Sequence, residues 1–235
     1  MINSDNKTYA PVERFHDAVD ILDKFSTVLL FELAKNASTT KDIIIRNFIA
    51  RSIVSLKGIM KLWDLKDYHD CWILFRKEFK DRLNPDFYTD TVQQKEKYND
   101  ICKEKVEWKR PKPETIAKQM HLDFLFKYGY DYASKLVHPM ANDGQEDFYI
   151  QLDLPEINKF PDNISVLQNS CLVVKLIIQE GLNISSFRWR EGMFDFLDNF
   201  IKFIDIGALD CLNDFKQVAR HYEAGNLSEP SQIKK

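Results

Sequence analysis

The chain has 235 residues, 29% of them charged, and a formal net charge of −3 at pH 7. This length is enough for one sizeable hydrophobic core. The near balance of charges excludes a global attraction to nucleic acid, so any such binding must use a local patch. Only 7 glycines occur against 17 phenylalanines, a composition that favours helices over many short strands.

Apolar residues recur at helical spacing through the first third of the chain. Pro11 can open a first helix that runs to about Lys35. Ser38 or Thr39 can cap a second helix, from about Thr40 to Leu65, which is strongly apolar and is predicted to be central. A third helix follows from about Asp67 to Leu83.

The remaining pattern predicts further helices around one loop and one long irregular segment. In chain order these elements are a polar helix over 87–106, the basic loop 108–113 (WKRPKP), helices over about 114–120 and 122–138, the irregular segment 140–162, and helices over about 163–181, 185–203 and 209–223. Within the irregular segment we interpret 148–150 as an extended arm. The sequence therefore predicts an all-α fold, a single helical bundle of about six to eight helices over residues 1–225 with a polar tail at 226–235.

Three features of the sequence favour a reduced, cytoplasmic protein. The N-terminal stretch lacks the apolar core of a secretion signal. The longest apolar run, CLVVKLII at 171–178, is far shorter than the roughly 20 residues needed to span a bilayer. The four cysteines are widely separated with no C-x-x-C pair, which is typical of buried, reduced thiols.

The stretch GYDYASKLVHP at 129–139 is the strongest candidate for chemistry. Read as helix, it places Tyr130, Ser134 and His138 four residues apart along one face. Pro139 then ends the helix just after the histidine. An imidazole beside a hydroxyl and a phenol can move protons, but the same three side chains can also form a buried polar network that sets helix register.

The sequence offers no cofactor or metal motif. Glu13 and His16 form one E-x-x-H, whereas a di-iron bundle needs two such motifs and two further carboxylates. No Cys/His cluster has zinc spacing, and neither a G-x-G-x-x-G nor a G-x-x-x-x-G-K phosphate loop is present. We therefore expect no metal and no cofactor.

Three segments together resemble an uncharacterised bacterial family of helical proteins, catalogued as a domain of unknown function. They are IIIRNFIARSIVSLKGIMKLW, WILF and YDYASKLVHP, and the resemblance covers about residues 40–180. The family pattern has an Arg-x-x-x-Glu on the early helix and a Tyr-x-x-x-Ser-x-x-x-His on the later one. Tyr130, Ser134 and His138 match the second motif. Arg51 matches the arginine, but Ser55 stands where the family has glutamate.

This family is similar in outline to the HEPN helical bundles, many of which are ribonucleases of toxin–antitoxin and anti-phage systems. In those enzymes an arginine steadies the scissile phosphate and a histidine a few residues later acts as acid or base. No arginine of this chain lies four to six positions before a histidine, so Arg51 and His138 would have to meet across two helices. The resemblance implies His138 as the acid or base, Arg51 on phosphate, and Tyr130 and Ser134 as positioning residues.

Two segments bear on partners. The basic residues between 103 and 112 are interrupted by Glu104 and Glu107, so they form either a solvated face or an RNA contact. The helix at 193–206 (MFDFLDNFIKFIDI) is apolar almost all round, so it lies either deep in the bundle or in an interface with a homodimer mate or partner protein. A non-catalytic interaction subunit is therefore the alternative to a ribonuclease.

Overall fold

The structure, a computed structural model, describes residues 12–36, 39–82, 112–137, 145–153, 163–185 and 190–223. No strand occurs in these ranges, and the helices pack around a shared hydrophobic core. The predicted all-α bundle is confirmed. The predicted helix at 87–106, most of the WKRPKP loop and the tail at 226–235 lie outside the described residues.

The helices are numbered here in chain order. They are α1 Val12–Asn36, α2 Thr40–Asp64, α3 Tyr68–Arg82, α4 Pro113–Gln119, α5 Asp123–Leu125, α6 Asp131–Val137, α7 Gln145–Gln151, α8 Asn163–Ile184, α9 Arg190–Ile206 and α10 Asp210–Glu223. One π-helical turn, Phe126–Tyr130, joins α5 to α6; we call it the π turn.

The start of α2 follows the predicted capping chemistry. Asp42 donates its backbone N–H to the Thr39 hydroxyl at 3.1 Å, and Thr39 donates its own N–H to the Asp42 carboxylate at 2.9 Å. This reciprocal pair satisfies two backbone donors that a helix N-terminus otherwise leaves without partners. Thr39 is therefore the residue that sets where α2 begins.

Helix α8 occupies the middle of the bundle. It packs against α1, α2, α3 and α9, and its buried residues cover about half of the helix circumference. They are Val166, Leu167, Cys171, Val173, Val174, Ile177, Ile178 and Leu182. Helix α2, predicted to be central, packs against α1, α3 and α8. In the described ranges no helix combines the length and apolar character needed to cross a membrane.

The π turn interrupts what the sequence pattern predicts as one continuous helix. The N–H of Asp131 donates to the carbonyl of Phe126, five residues earlier, which widens the helix locally. Gly129 lies in this turn, and a Cβ added there would come within 2.8 Å of the Phe75 ring. The glycine therefore allows the turn to approach α3 closely.

The segment predicted to be irregular contains a helix. Residues Gln145–Gln151 are helical, and Leu152 donates its N–H to the carbonyl of Phe148, so the interpretation of 148–150 as an extended arm is wrong. The stretch between Gly144 and Pro155 has neither glycine nor proline, so nothing in it prevents local helical hydrogen bonding. The rest of 140–162 lies outside the described residues, apart from Leu152 and Asp153.

Helix α9 places its large apolar side chains in the core. The buried set is Met193, Phe196, Leu197, Phe200, Phe203 and Ile204. Phe196 stacks on Phe25 of α1 with ring centroids 4.1 Å apart, and α9 also packs on α8 and α10. The sequence allowed this helix to lie either deep in the bundle or in an interface, and the first alternative applies to these six residues.

A glycine pair tests the close approach of the π turn to α3. We expect Gly129→Ala to lower the free energy of unfolding by about 1–3 kcal/mol, because its Cβ overlaps the Phe75 ring. Gly192→Ala is the control, since nothing lies within 4 Å of its added Cβ, and it should raise stability by up to about 1 kcal/mol. Urea unfolding measures both, and equal shifts for the two variants would contradict the packing.

The thiols provide a pH-dependent test. Cys71, Cys171 and Cys211 are buried and free. Burial raises the pKa of Cys71 and of Cys171 to about 12, and that of Cys211 to about 11. Unfolded thiols ionise near pH 8.5, so above that pH the unfolded chain releases protons that the folded chain retains. Stability should therefore fall as pH rises from about 8.5 to about 12.

The same three thiols should resist iodoacetamide at pH 8 in the folded protein and react fully in urea, as measured by peptide mass spectrometry. Labelling of Cys171 at equal rates in both conditions would contradict its burial. Cys102 lies outside the described residues and is not part of this test.

Candidate functional site

Ser134 and Tyr130 meet an arginine that the sequence pattern did not single out. Arg76 of α3 donates its Nε–H to the Ser134 hydroxyl at 3.0 Å. Its guanidinium carbon lies 5.5 Å from the centre of the Tyr130 ring. Arg76, Tyr130 and Ser134 therefore form one cluster between α3 and the π turn with α6, which we call the Arg76 cluster.

Aromatic rings enclose the tyrosine of this cluster. Tyr130 lies 5.3 Å from Phe79 and 5.5 Å from Phe126, measured between ring centroids, and it is buried. Arg76 and Ser134 are half-buried. Charge interactions are stronger at such a partly desolvated position than at the open surface, and the ring face also attracts the cation.

Arg76 follows directly after WILF at 72–75, one of the three segments that carry the family resemblance. It lies one turn after Trp72, which is buried on the same helix. The spacing of four between Trp72 and Arg76 was the signal present in the sequence, because it places a charged side chain on the same helical face as a buried tryptophan. Spacing alone could not identify the helix that this face meets.

The predicted arginine lies elsewhere. Arg51 is exposed on α2, and no contact recorded among the described residues joins it to Tyr130 or Ser134. Ser55, at the position of the family glutamate, is buried. His138 lies outside the described residues. Of the four predicted site residues, the structure thus brings Tyr130 and Ser134 to a common arginine, and that arginine is Arg76.

Helix α3 makes a second polar contact through Glu78, two residues after Arg76. The Ser52 hydroxyl of α2 donates to the Glu78 carboxyl at 2.8 Å, and both residues are buried. Residues two apart on a helix point to nearly opposite sides. Helix α3 therefore makes one polar contact with α2 through Glu78 and another with α6 through Arg76.

The Arg76 cluster has the chemistry of an anion site. A guanidinium presents five N–H donors in a planar fork that matches phosphate geometry. In the described part of the chain, the hydrogen bond recorded for Arg76 is the one from Nε to Ser134. Its terminal amino groups can therefore donate to an incoming oxyanion, while the serine holds the fork in place.

The E-x-x-H of the sequence makes a different contact. His16 Nε2 lies 3.0 Å from the Asp64 carboxylate, and both side chains are a little under half exposed. Within the described ranges no group of three or more His, Cys, Asp or Glu side chains could hold a metal ion.

Two buried serines test the polar contact between α2 and α3. Ser52→Ala should lower the free energy of unfolding by about 1–3 kcal/mol, because the buried Glu78 loses a hydrogen bond. Ser26→Ala is the control, since the buried Ser26 hydroxyl has no hydrogen-bond partner among the described residues, and stability there should stay unchanged or rise. Urea unfolding measures both, and an equally small effect at Ser52 would contradict the inferred contribution of its bond.

Comparisons of the chain with protein-family models, with curated proteins and with solved structures found no match. The family resemblance therefore rests on the three segments quoted from the sequence and stays a prediction.

Proposed function

We propose that this protein is a HEPN-like helical-bundle effector that cleaves RNA, acting in a bacterial anti-phage defence or toxin–antitoxin system. The observation that carries the proposal is the hydrogen bond from Arg76 to Ser134 beside Tyr130. It joins an arginine to two residues of the Tyr-x-x-x-Ser-x-x-x-His pattern. An arginine near a histidine is the pair that HEPN ribonucleases use.

In this proposal each residue has a defined role. Arg76 binds the scissile phosphate and stabilises the charge that develops on it. His138, four residues after Ser134 in the sequence, transfers the proton, because an imidazole titrates near neutral pH. Ser134 and Tyr130 position the guanidinium. Arg51, the arginine of the family pattern, is the competing candidate for the phosphate.

Incubation of the purified protein with total RNA tests these roles. We expect cleavage by the wild type and a loss of about 10²–10³-fold in rate for Arg76→Ala and for His138→Ala, the range typical of removing one transition-state donor. Arg51→Ala is the matched control and should cleave within about twofold of wild type, because surface substitutions away from a site have small effects. Circular dichroism confirms that each variant folds.

Other outcomes have clear meanings. Loss of cleavage in Arg51→Ala with full activity in Arg76→Ala would return the phosphate role to Arg51. Equal cleavage by the wild type and by His138→Ala would remove the histidine from catalysis. Arg76→Lys keeps the charge but loses the planar fork, so a large rate loss in that variant supports bidentate phosphate binding over a simple charge effect.

A second candidate function is a non-catalytic interaction subunit. It is favoured by Phe148 and Leu152, which lie one turn apart at α7 and are both exposed. Helix α9 offers less to a homodimer mate or partner protein, because six of its apolar side chains are buried in the chain's own core. Absence of RNA cleavage by wild type and variants alike would favour this second function.

A further inference from the structure

Helices α1 and α2 form an antiparallel hairpin. Lys57 of α2 donates to the Asp23 carboxylate of α1 at 2.7 Å, and His16 Nε2 lies 3.0 Å from the Asp64 carboxylate. The residue numbers in these two pairs have the same sum, so one register runs along the hairpin. Helices α3, α8, α9 and α10 pack on α1 or α2 and bury one side of the hairpin, while the opposite side is exposed.

Each helix of the hairpin carries a stripe of exposed residues on that opposite side, which we call the hairpin face. The stripe is Asp20, Lys24, Thr27, Phe31 and Ala34 on α1, and Asn47, Ala50, Val54, Lys57 and Lys61 on α2. Its spacing alternates between three and four residues, as in a seam where one helix packs against another. Phe31 is 52% and Val54 is 57% exposed, so apolar side chains occupy the half of the face nearest the end where α1 leads into α2.

Charge occupies the other half of the hairpin, and its sign differs between the two helices. From Glu13 to Lys24, α1 has four acidic and two basic residues, whereas from Arg51 to Lys61, α2 has three basic and no acidic residues. A surface with one negative and one positive edge is complementary to a copy of itself rotated by half a turn about the long axis of the hairpin. A second copy of this chain is therefore the partner that the charge pattern fits.

The register of the hairpin extends this match to individual positions. A two-fold axis parallel to the helices sets α1 of one copy antiparallel to α2 of the other. It brings Asp20 level with Lys61 of the second copy, so a carboxylate meets an amine. It also brings Phe31 level with Ala50 of the second copy, so a large ring meets a small side chain, as interdigitating helix surfaces require.

One pair along this seam has like charge. Lys24 comes level with Lys57 of the second copy, but each amine already bonds an aspartate of its own chain. The two bonds join Lys24 to Asp20 at 2.6 Å and Lys57 to Asp23 at 2.7 Å, and these carboxylates offset the repulsion. An axis perpendicular to the helices would instead set the charged half of each α1 on the apolar half of the other α1, so the parallel axis is favoured.

We propose that the hairpin face forms a symmetric homodimer, in which two hairpins pack as a four-helix bundle. Both helices have 25 residues. Their joint face measures roughly 37 by 20 Å, or about 700 Å², close to the roughly 800 Å² that each partner buries in a standard interface. The dimer does not depend on RNA cleavage, and its interface lies on α1 and α2 rather than on α9.

Sedimentation equilibrium of the full chain over a range of concentrations measures the Kd of the dimer. Val54→Glu should raise this Kd by about a hundredfold or more, because the symmetry places the new carboxylate in an apolar contact twice. Leu152→Glu is the matched control. Leu152 follows α7 and is 54% exposed but lies outside the hairpin face, so the Kd should stay within about twofold of wild type. Circular dichroism confirms that both variants fold.

A charge exchange tests the arrangement of the two copies. Lys61→Glu and Asp20→Lys each create two like-charge contacts in a homodimer, and each should raise the Kd by about tenfold or more. An equimolar mixture of the two variants should dimerise about as well as wild type, because both contacts in the mixed dimer are again between opposite charges. A variant that merely misfolds cannot be restored in this way.

The opposite results overturn the inference. A wild-type chain that sediments as a monomer at every concentration shows that the face does not self-associate. A dimer whose Kd is unaffected by Val54→Glu, or raised equally by Leu152→Glu, has its interface elsewhere. If the wild type dimerises and the mixture of charge variants does not, the two copies do not pack α1 against α2.

Discussion

The burial of α8 is the constraint on which the rest of the bundle depends. Its apolar side chains cover about half of its circumference, so they leave water only if α1, α2, α3 and α9 pack around the helix. Lys175 of α8 is also largely enclosed, and burial lowers the pKa of its amine. That amine donates a hydrogen bond to the Gln179 side chain at 2.9 Å and lies 3.9 Å from the Asp198 carboxylate of α9. Because α3 is one of the enclosing helices, packing around α8 also determines where Arg76 lies.

Helix α3 connects the core to the candidate site. Its aromatic residues fill the interior, while Glu78 and Arg76 point to different neighbours, Ser52 of α2 and Ser134 of α6. A rotation of α3 about its axis would break both hydrogen bonds together, since the two side chains are held on opposite sides. The guanidinium is thus held in position by the scaffold, as a phosphate-binding group needs to be in order to stabilise charge without reorganising.

The π turn serves both the core and the surface. Gly129 contacts the Phe75 ring from one side of the turn, whereas Tyr128, its immediate neighbour, is exposed on the other. Adjacent residues in a helix point about a quarter turn or more apart, so one short segment can serve both the core and the solvent. The same turn therefore packs Gly129 against α3 and leaves Tyr128 exposed.

The sequence by itself determined the all-α class, the position of most described helices, a cap at Ser38 or Thr39 and the burial of three thiols, because periodicity, capping and composition are local properties. It also identified Tyr130 and Ser134 as neighbours on one helix. Only the tertiary structure decided that Arg76 rather than Arg51 meets them, that α8 is surrounded, and that a π turn replaces a continuous helix. Those outcomes depend on which helix faces which, and a hydrophobic stripe specifies that a face is buried without specifying the neighbour that covers it.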